Sequence, residues 1–308
     1  MRIGLTYNLK PPGASGDRFE EFDSIETIEA LESALRHRGD VPVRLGWGAE
    51  MLDVLASTPV DGVFNIAEGV GGRGRESQVP ATLEMLGIPC TGSDAVAIGI
   101  TLDKPLAKLL AKASGIPTAP WTTGRSGDGT ALRYPLFVKP AAEGSSMGVT
   151  SKSLCRNESE LNEAVARVQA YGTVLVEEFL PGNEYTVGIL GGQVIAVMQV
   201  VPKGDAKTFF YSIEVKRDYE RRVEYRIVDE PRVATLALDI WKAFGLRDVA
   251  RVDVRCDHDS VPNFVEVNPL PGVHPVHSDL VILAEAAGWS YDRLISGIVT
   301  SAEARWRA

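Results

Sequence analysis

Residues 249–278, VARVDVRCDHDSVPNFVEVNPLPGVHPVHS, decide both the fold and the chemistry predicted for this chain. Residues 249–255 and 263–268 each alternate apolar and polar side chains, a pattern that indicates half-buried strands. Because only a short polar turn separates them, the two strands are expected to pair antiparallel. The stretch therefore predicts a β-hairpin, followed at once by the stiff turn Pro269-Leu270-Pro271-Gly272.

If the register of the two strands brings their polar faces together, the polar side chains of this hairpin form one small patch. Residues two apart on a strand share a face, so Arg251 lies beside Asp253, and Glu266 beside Asn268. Two carboxylates and an amide oxygen are hard ligands that suit Mg²⁺, which also binds substrate phosphates. An arginine beside the ion suits a developing oxyanion. The hairpin therefore predicts a metal site; the alternative is a surface hairpin with solvated charges.

Composition places the chain among ordinary soluble globular proteins and limits its partners. Its 308 residues are 44% hydrophobic and 24% charged, a length that allows two or three domains. A net charge of −9 without a long basic run argues against nucleic acid as a partner. Three scattered cysteines fit a reducing compartment. No signal peptide and no apolar run approaching about 18 residues are present, so a cytoplasmic protein without a membrane span is predicted.

The order of the predicted elements indicates an α/β fold with α+β parts. Strands and helices alternate over residues 1–95, which predicts a parallel sheet with helices on both faces. Its first helix is expected to be capped by Asp23, and residues 88–90 are expected to form a short strand. Residues 96–180 resemble a small α+β domain, with a strand predicted at residues 149–152 and a following helix capped by Asn157. Residues 181–308 contain the antiparallel strands, two of which are joined by the hairpin turn Gly191-Gly192. Residues 203–228 are charged and aromatic without a clear period, which predicts a lid over a site.

A glycine-rich loop at residues 140–148 provides a second, weaker signal. Its free N–H groups and the preceding Lys139 suit a phosphate, although a plain turn explains the loop equally well. Together with Lys104 and the acidic hairpin, the loop becomes informative. Enzymes that transfer a phosphoryl group from ATP usually contain Mg²⁺, several lysines and a glycine-rich flap.

Five stretches in order resemble the D-alanine–D-alanine ligase family of ATP-grasp enzymes. They are IPCTGSDAVAIGITLDKPLAKLLA (88–111), LFVKPAAEGSSMGV (136–149), VLVEEFLPGNEYTVGIL (174–190), ARVDV (250–254) and FVEVNPLPG (264–272). The resemblance implies three domains, here residues 1–95, 96–180 and 181–308, with ATP between the last two. It also implies a homodimer. The implied reaction phosphorylates one amino acid's carboxylate, and the amine of a second then attacks the acyl phosphate.

The resemblance also implies a role for each matching residue. Asp253, Glu266 and Asn268 would hold two Mg²⁺ ions, for which Mn²⁺ can substitute. Arg251 and the N–H of Gly272 would form the oxyanion site. The implied ATP contacts are Lys104, Lys139 and Lys216 to phosphates, Ser145 and Ser146 on the flap, Glu177 and Leu180 at adenine, and Glu184 at the ribose.

On the substrate side, Glu20 falls where the family places a carboxylate for the first substrate's ammonium, with Glu21 as the fallback. Three departures from the family bear on the substrate. Arg217 stands where a tyrosine is usual, Glu68 stands about where a histidine is usual, and the serine that binds the second substrate's carboxylate aligns near His277-Ser278.

Several alternatives stay open. The acceptor could be another amino acid, a hydroxy acid or a small peptide in a natural-product pathway, or the chain could bind nucleotide without catalysis. His274 and His277 could be a zinc pair, although a substrate contact or simple packing explains them better. Arg73 and Arg75 are either solvated loop charges or ligands of the second substrate.

Overall fold

The strands of this protein form three sheets in the part of the chain that the structure, a computed structural model, describes. The described residues are 1–11, 13, 19, 21–124, 132–144, 146–204, 210 and 218–306. Glu20, Ser145, Lys216 and Arg217, all predicted site residues, lie outside them. No helix of the described residues has the length and apolar character needed to cross a membrane.

The first sheet is parallel, as predicted, with the order β2-β1-β3. Its strands are β1 (Arg2–Thr6), β2 (Val41–Gly46) and β3 (Gly62–Asn65), and its helices are α1 (Ile25–His37), α2 (Ala49–Ser57) and α3 (Gln78–Met85). Helix α1 packs on Ile3, Leu5 and Phe64, whereas α2 and α3 pack with Val63 in a separate cluster. Helices therefore cover both faces of this sheet. The strand predicted at residues 88–90 is reduced to a single bridge between Cys90 and Val63.

The cap of α1 differs from the prediction. Ser24 is the N-cap, and its hydroxyl accepts a hydrogen bond from the N–H of Thr27. Asp23 instead lies in a short bridge with Leu9, and its backbone N–H donates to the carbonyl of Asn8. The bridge fixes Asp23 one residue too early to cap the helix, and its side chain lines a cavity.

The second sheet is antiparallel, with the order β4-β7-β5-β6. Its strands are β4 (Trp121–Thr123), β5 (Leu136–Pro140), β6 (Leu154–Cys155) and β7 (Val174–Glu178). Helix α6 (Glu158–Val168) covers one face and is capped by Asn157, as predicted. Residues 149–152, predicted as a strand, instead lead into a 3-10 turn, because Thr150 and Ser153 form a reciprocal capping pair.

Two helices, α4 (Ala95–Leu102) and α5 (Lys104–Ala113), precede this sheet. The sequence predicts a helix over residues 103–115, with Leu106, Leu109 and Leu110 on one side. In the structure Leu106 and Leu109 are exposed, and the buried residues are Lys104, Ala107, Lys108 and Ala111. The helix therefore buries two lysine side chains. Buried lysines are rare unless they pair with an anionic group.

The third sheet is also antiparallel, with the order β10-β9-β8-β11-β12. Its strands are β8 (Glu184–Leu190), β9 (Gln193–Pro202), β10 (Val223–Val228), β11 (Val249–Cys256) and β12 (Pro262–Asn268). The helices in this part of the chain are α7 (Tyr219–Arg222), α8 (Pro231–Ala243), α9 (Asp279–Ala286) and α10 (Tyr291–Trp306). The C-terminal end of the predicted lid is thus strand β10, which pairs with β9.

Helices cover both faces of the third sheet. Val233, Ala237 and Ile240 of α8 pack on one face, and Leu280 and Leu283 of α9 lie near Gly188 on the other. Strand β11 is therefore buried along nearly its whole length, rather than half-buried as its sequence pattern predicts. Its polar side chains are held in the interior of the protein, where they need partners.

Candidate active site

The hairpin of β11 and β12 places the predicted metal ligands opposite one another. Arg251 pairs with Asn268 and Asp253 with Glu266, so the predicted antiparallel pairing is confirmed. Opposite residues of such a pair have Cβ atoms about 4.5–5.5 Å apart. A register shift follows Asp253, where β12 carries one extra residue, Val265. The two carboxylates and the amide therefore lie on one small patch.

Arg251 is tied to carboxylates on both sides. Its Nε and Nη2 donate to the two carboxylate oxygens of Asp253 at 3.2 and 3.0 Å, and its Nη1 donates to Asp279 at 3.3 Å. Burial alone would lower the pKa of Arg251, but the charges of Asp253 and Asp279 outweigh burial and raise it. The guanidinium is therefore held charged and oriented beside the predicted metal ligands.

The glycine-rich loop at residues 140–148, here called the flap, and helix α5 approach this hairpin from the other side. Lys104 Nζ donates to the carbonyl of Glu143 at 2.6 Å and lies 3.4 Å from a carboxylate oxygen of Glu266. Lys104 and Glu266 line a cleft, and Ser146 of the flap lines it too. The backbone φ of Ser146 is 56°, a positive value that is unusual for a residue with a side chain. Lys104 thus joins the flap to the acidic patch.

A buried carboxylate with two lysines lies deeper in the cleft. Glu177 accepts from Lys108 Nζ at 2.8 Å and from Lys139 Nζ at 2.7 Å. Burial alone would raise the pKa of Glu177, but the two ammonium groups lower it to about 2. Lys108 also donates to Thr118, whose hydroxyl donates to the carbonyl of Phe264 in β12. These bonds join α5, β7 and β12 around the cleft.

This lowered pKa predicts a pH dependence of folding. Because the folded-state value of about 2 lies below the ordinary 4.5, the Glu177 charge stabilises the fold above about pH 4.5. That contribution is lost as the pH falls toward 2. Glu177→Gln, which carries no charge to protonate, should show a flatter dependence of the free energy of unfolding on pH between 4.5 and 2.5. Parallel curves for the two proteins in urea titrations would contradict the assignment.

The far end of the cleft is built around Arg255. Its Nε donates to the carbonyl of Leu180 at 2.5 Å, and its Nη1 donates to Glu184 at 2.9 Å. Its guanidinium lies over the ring of Phe179. Burial raises the pKa of Glu184, and Arg255 partly offsets the shift. Arg255 therefore fixes the two residues that the family resemblance assigns to adenine and ribose.

A second cavity, of about 480 Å³, adjoins the cleft. Asn268, Gly272, His277, Ser278 and Glu68 line it, so these predicted residues share one space. The two cavities have four lining residues in common: Lys104, Arg251, Glu266 and Asp279. The acidic hairpin therefore stands where the cleft and the second cavity meet.

The turn after β12 shapes this junction. The side-chain oxygen of Asn268 accepts from the N–H of Leu270, and the hydroxyl of Ser278 accepts from the N–H of His274. A Cβ atom added to Gly272 would lie 2.9 Å from the Ser278 hydroxyl, so only glycine fits there without displacement. His274 and His277 stack at 4.9 Å, but among the described residues no third side chain completes a metal set with them.

Glu21, the fallback for Glu20, reaches the flap. It accepts from the N–H of Gly144 at 3.0 Å, and Arg75 Nη2 donates to its two oxygens at 3.0 and 2.9 Å. Arg75 also donates to the flap carbonyl of Ala142, so it is a buried structural partner rather than a solvated charge. Arg73, in contrast, is exposed and pairs with Asp103.

Sequence reasoning missed several residues of this site, which are Asp23, Glu76, Lys108, Thr186, Arg255 and Asp279. One signal was available for Lys108, because it follows Lys104 by four residues and so shares its helical face. Asp279 and Thr186 carried no local signal. They join the site only because Arg251 and Asp253 contact them across the fold.

Comparisons with known proteins agree on one family. Residues 110–300 match the family model described as D-ala D-ala ligase C-terminus. The D-alanine–D-alanine ligase of Aquifex aeolicus is 34% identical over 288 residues, which cover 90% of this chain and 94% of that protein. An uncharacterized protein of Sinorhizobium fredii is 36% identical over 79% of this chain and 75% of its own length.

Solved structures give the same result for the fold. The D-alanine–D-alanine ligase of Bacillus anthracis complexed with ATP superposes with a TM-score of 0.79 at 25% identity, covering 100% of this chain and 99% of that one. The VanG D-Ala:D-Ser ligase of Enterococcus faecalis has a TM-score of 0.72 at 21% identity, covering 98% of this chain and 99% of that one, and supports the fold alone. The mixed parallel and antiparallel sheets are thus those of the ATP-grasp ligases. Within that class, the chain belongs to the D-alanine–D-alanine ligase family, whose members are ATP-dependent ligases.

Proposed function

We propose that this protein joins two small amino-acid substrates of the D-alanine type, with ATP converted to ADP and phosphate, in cytoplasmic synthesis of cell-wall precursors. The observation that carries the proposal is the register of β11 and β12. It places Asp253, Glu266 and Asn268 beside Arg251 at the junction of the cleft and the second cavity. A nucleotide in the cleft and amino acids in the second cavity would meet at this patch.

The residues of the patch fit Mg²⁺. Asp253 and Glu266 supply hard carboxylate oxygens and Asn268 an amide oxygen, and all three side chains are half-buried. Bound there, Mg²⁺ would neutralise phosphate charge and hold the triphosphate in line. The side chains of Lys104, Lys139 and Ser146 face the same cleft and suit phosphate oxygens, with Lys216 assigned by resemblance.

The other end of the cleft suits the nucleoside. As the resemblance implies, the backbone of Leu180 and the carboxylate of Glu177 would bind adenine, and Glu184 would bind the ribose hydroxyls. All three residues line the cleft. Phe137, Phe179 and Phe264 provide apolar walls. Such a mixture of apolar walls and a few fixed polar groups is typical of a ligand pocket.

The reaction proceeds in two steps across the junction. A carboxylate oxygen of the first substrate attacks the γ-phosphorus of ATP, and the bond to ADP breaks. The amine of the second substrate, after losing a proton, attacks the carbonyl carbon of the acyl phosphate. Arg251 and the N–H of Gly272 stabilise the oxyanion of the tetrahedral intermediate, which collapses to the amide with release of phosphate.

The substrates are oriented by the second cavity. Glu20 would bind the ammonium of the first substrate, as the resemblance implies, with Glu21 as the fallback. The oxygens of Glu21 already accept from Arg75 and from the flap N–H of Gly144. Ser278 would bind the carboxylate of the second substrate, and His277 lines the cavity beside it. Arg217, Glu68 and His277 depart from the family and favour the alternative that one substrate differs from D-alanine.

The test is product formation by the purified protein. With ATP, Mg²⁺ and D-alanine, we expect release of phosphate in a one-to-one ratio with D-alanyl-D-alanine, measured by mass spectrometry. Pairs of D- and L-amino acids and D-lactate as acceptor would reveal a different substrate pair. Hydrolysis of ATP without an amide or ester product from any combination would contradict the proposal.

A further inference from the structure

Strand β11 carries a second arginine, Arg255, on the face that also carries Arg251 and Asp253. Residues two apart on a strand share a face, and all three side chains line the cleft. Four residues of strand span about 13 Å, so Arg255 is well separated from the patch where the reaction is proposed. Arg255 therefore lies at the nucleoside end of the cleft, with Leu180 and Glu184.

Arg255 holds the carboxylate of Glu184 in place. The two residues face each other across β11 and β8, and Nη1 of Arg255 donates to Glu184 at 2.9 Å. Burial raises the pKa of Glu184, and among the neighbouring charges that of Arg255 opposes this shift most strongly. A charged carboxylate accepts hydrogen bonds more strongly than a neutral one. Arg255 therefore keeps Glu184 oriented and in the form that suits ribose hydroxyls.

Arg255 also fixes the chain that connects the second sheet to the third, residues 179–183, here called the connector. Its Nε donates to the carbonyl of Leu180 at 2.5 Å. The N–H of Gly182 donates to the carbonyl of Cys256, the next residue of β11, at 2.9 Å. A Cβ atom on Gly182 would lie 2.7 Å from that oxygen, so only glycine fits there without displacement. Strand β11 therefore determines the path of the connector beside the proposed adenine site.

An arginine suits these partners better than another cation would. Its planar guanidinium presents N–H groups in a fixed fork, so it donates to Leu180 and Glu184 at the same time. Its face also packs on the ring of Phe179, 4.7 Å from the ring centre. A lysine keeps the charge but has one ammonium group on a flexible chain, and a methionine keeps neither charge nor hydrogen bonds.

We infer that Arg255 is a positioning residue that makes nucleotide binding depend on the ribose hydroxyls. It holds Glu184 toward the ribose and Leu180 toward the base, and it does not touch the reacting atoms. The inference rests on the proposed function, because it concerns the nucleotide of that reaction. The two arginines of β11 then have separate roles: Arg251 acts in the chemical step, and Arg255 sets the affinity and selectivity for the nucleotide.

Calorimetry with the whole protein and Mg²⁺ tests this inference without relying on turnover. The ligands are ADP, 2′-deoxyADP and 3′-deoxyADP. The unaltered protein should bind ADP at least about tenfold more tightly than one of the deoxy forms, since a hydroxyl bonded to a charged group is lost. Arg255→Met should reduce this discrimination to within about threefold. An equal loss of affinity for all three nucleotides would show a merely structural role and would overturn the inference.

Two further variants complete the comparison. Arg255→Lys keeps the charge but loses one hydrogen bond, so its affinity for ADP should fall by about three- to tenfold. Unchanged affinity and discrimination in Arg255→Lys would overturn the inference even if Arg255→Met did not fold. Arg36→Met is the matched control, because Arg36 is exposed on α1, pairs with Glu32 at 3.3 Å and lines neither cavity. It should leave all three affinities unchanged.

Ligation rates separate this inference from the proposed function. For Arg255→Met, we expect the loss in KM for ATP, with kcat at saturating ATP within about threefold of the unaltered protein. A lower kcat with an unchanged KM would overturn the inference. Ligation without discrimination between the nucleotides would leave the proposed function intact, whereas discrimination without ligation of any substrate pair would contradict the proposed function alone.

Discussion

Replacing Glu266 by glutamine is expected to lower the rate of ATP-dependent ligation by about 10²–10³-fold, the scale typical of losing a preorganised charged group in a catalytic site. Glu266 faces Asp253 across the hairpin and lies 3.4 Å from Lys104. Glutamine keeps the shape of the side chain but removes the charge that the cation requires. The measurement is the rate of phosphate release coupled to amide formation.

A matched control is available on α9. Glu285 is exposed and away from both cavities, so Glu285→Gln removes the same charge without touching the junction. Its activity should equal that of the unaltered protein. If Glu266→Gln catalyses ligation at a rate within threefold of this control, Glu266 is not one of the metal ligands. Unchanged unfolding curves for both variants would show that the loss concerns chemistry and not folding.

The second large effect concerns stability. Lys108→Met should destabilise the fold by about 1–3 kcal/mol, because the buried oxygens of Glu177 and Thr118 each lose a charged hydrogen-bond donor, while Lys139 still neutralises Glu177. Lys108 is fully buried, and its ammonium bonds to Glu177 at 2.8 Å and to Thr118 at 2.6 Å. Methionine fills a similar volume, so the loss reports the charge and the hydrogen bonds. Urea unfolding would measure the difference in free energy.

Lys112→Met serves as the control, since Lys112 lies exposed on the same helix. It should change the free energy of unfolding by no more than about 0.5 kcal/mol. Adding Glu177→Gln to Lys108→Met should increase the loss, because the buried Lys139 would then lack its counter-charge. A destabilisation below about 1 kcal/mol for Lys108→Met would contradict the buried triad.

The hairpin of β11 and β12 could be predicted because the residues that determine it are close together in the sequence. Alternation along β11 and β12 predicts which side chains of each strand share a face, whereas the register that groups Asp253, Glu266 and Asn268 comes from the structure. The turn Gly191-Gly192 between β8 and β9 was predictable for the same reason. The functional roles beyond this geometry depended on the family resemblance.

The rest of the site depends on contacts between distant segments. Arg75 and Glu21 are separated by 54 residues, and Glu21 and the flap N–H of Gly144 by 123. The buried face of α5 could not be predicted, because leucines normally face the core and lysines solvent, whereas here a buried carboxylate binds Lys108. Asp23 was predicted as a cap because the sequence does not show its bridge to Leu9.

The most direct test of the central claim is a crystal structure of the protein with Mg²⁺ and a non-hydrolysable ATP analogue. We expect the triphosphate to lie in the cleft beside Lys104 and Lys139, with cation density within about 2.0–2.2 Å of oxygens of Asp253, Glu266 and Asn268. Cations bound instead at Glu21, Glu68 and Glu76, or a triphosphate remote from the hairpin, would contradict the account.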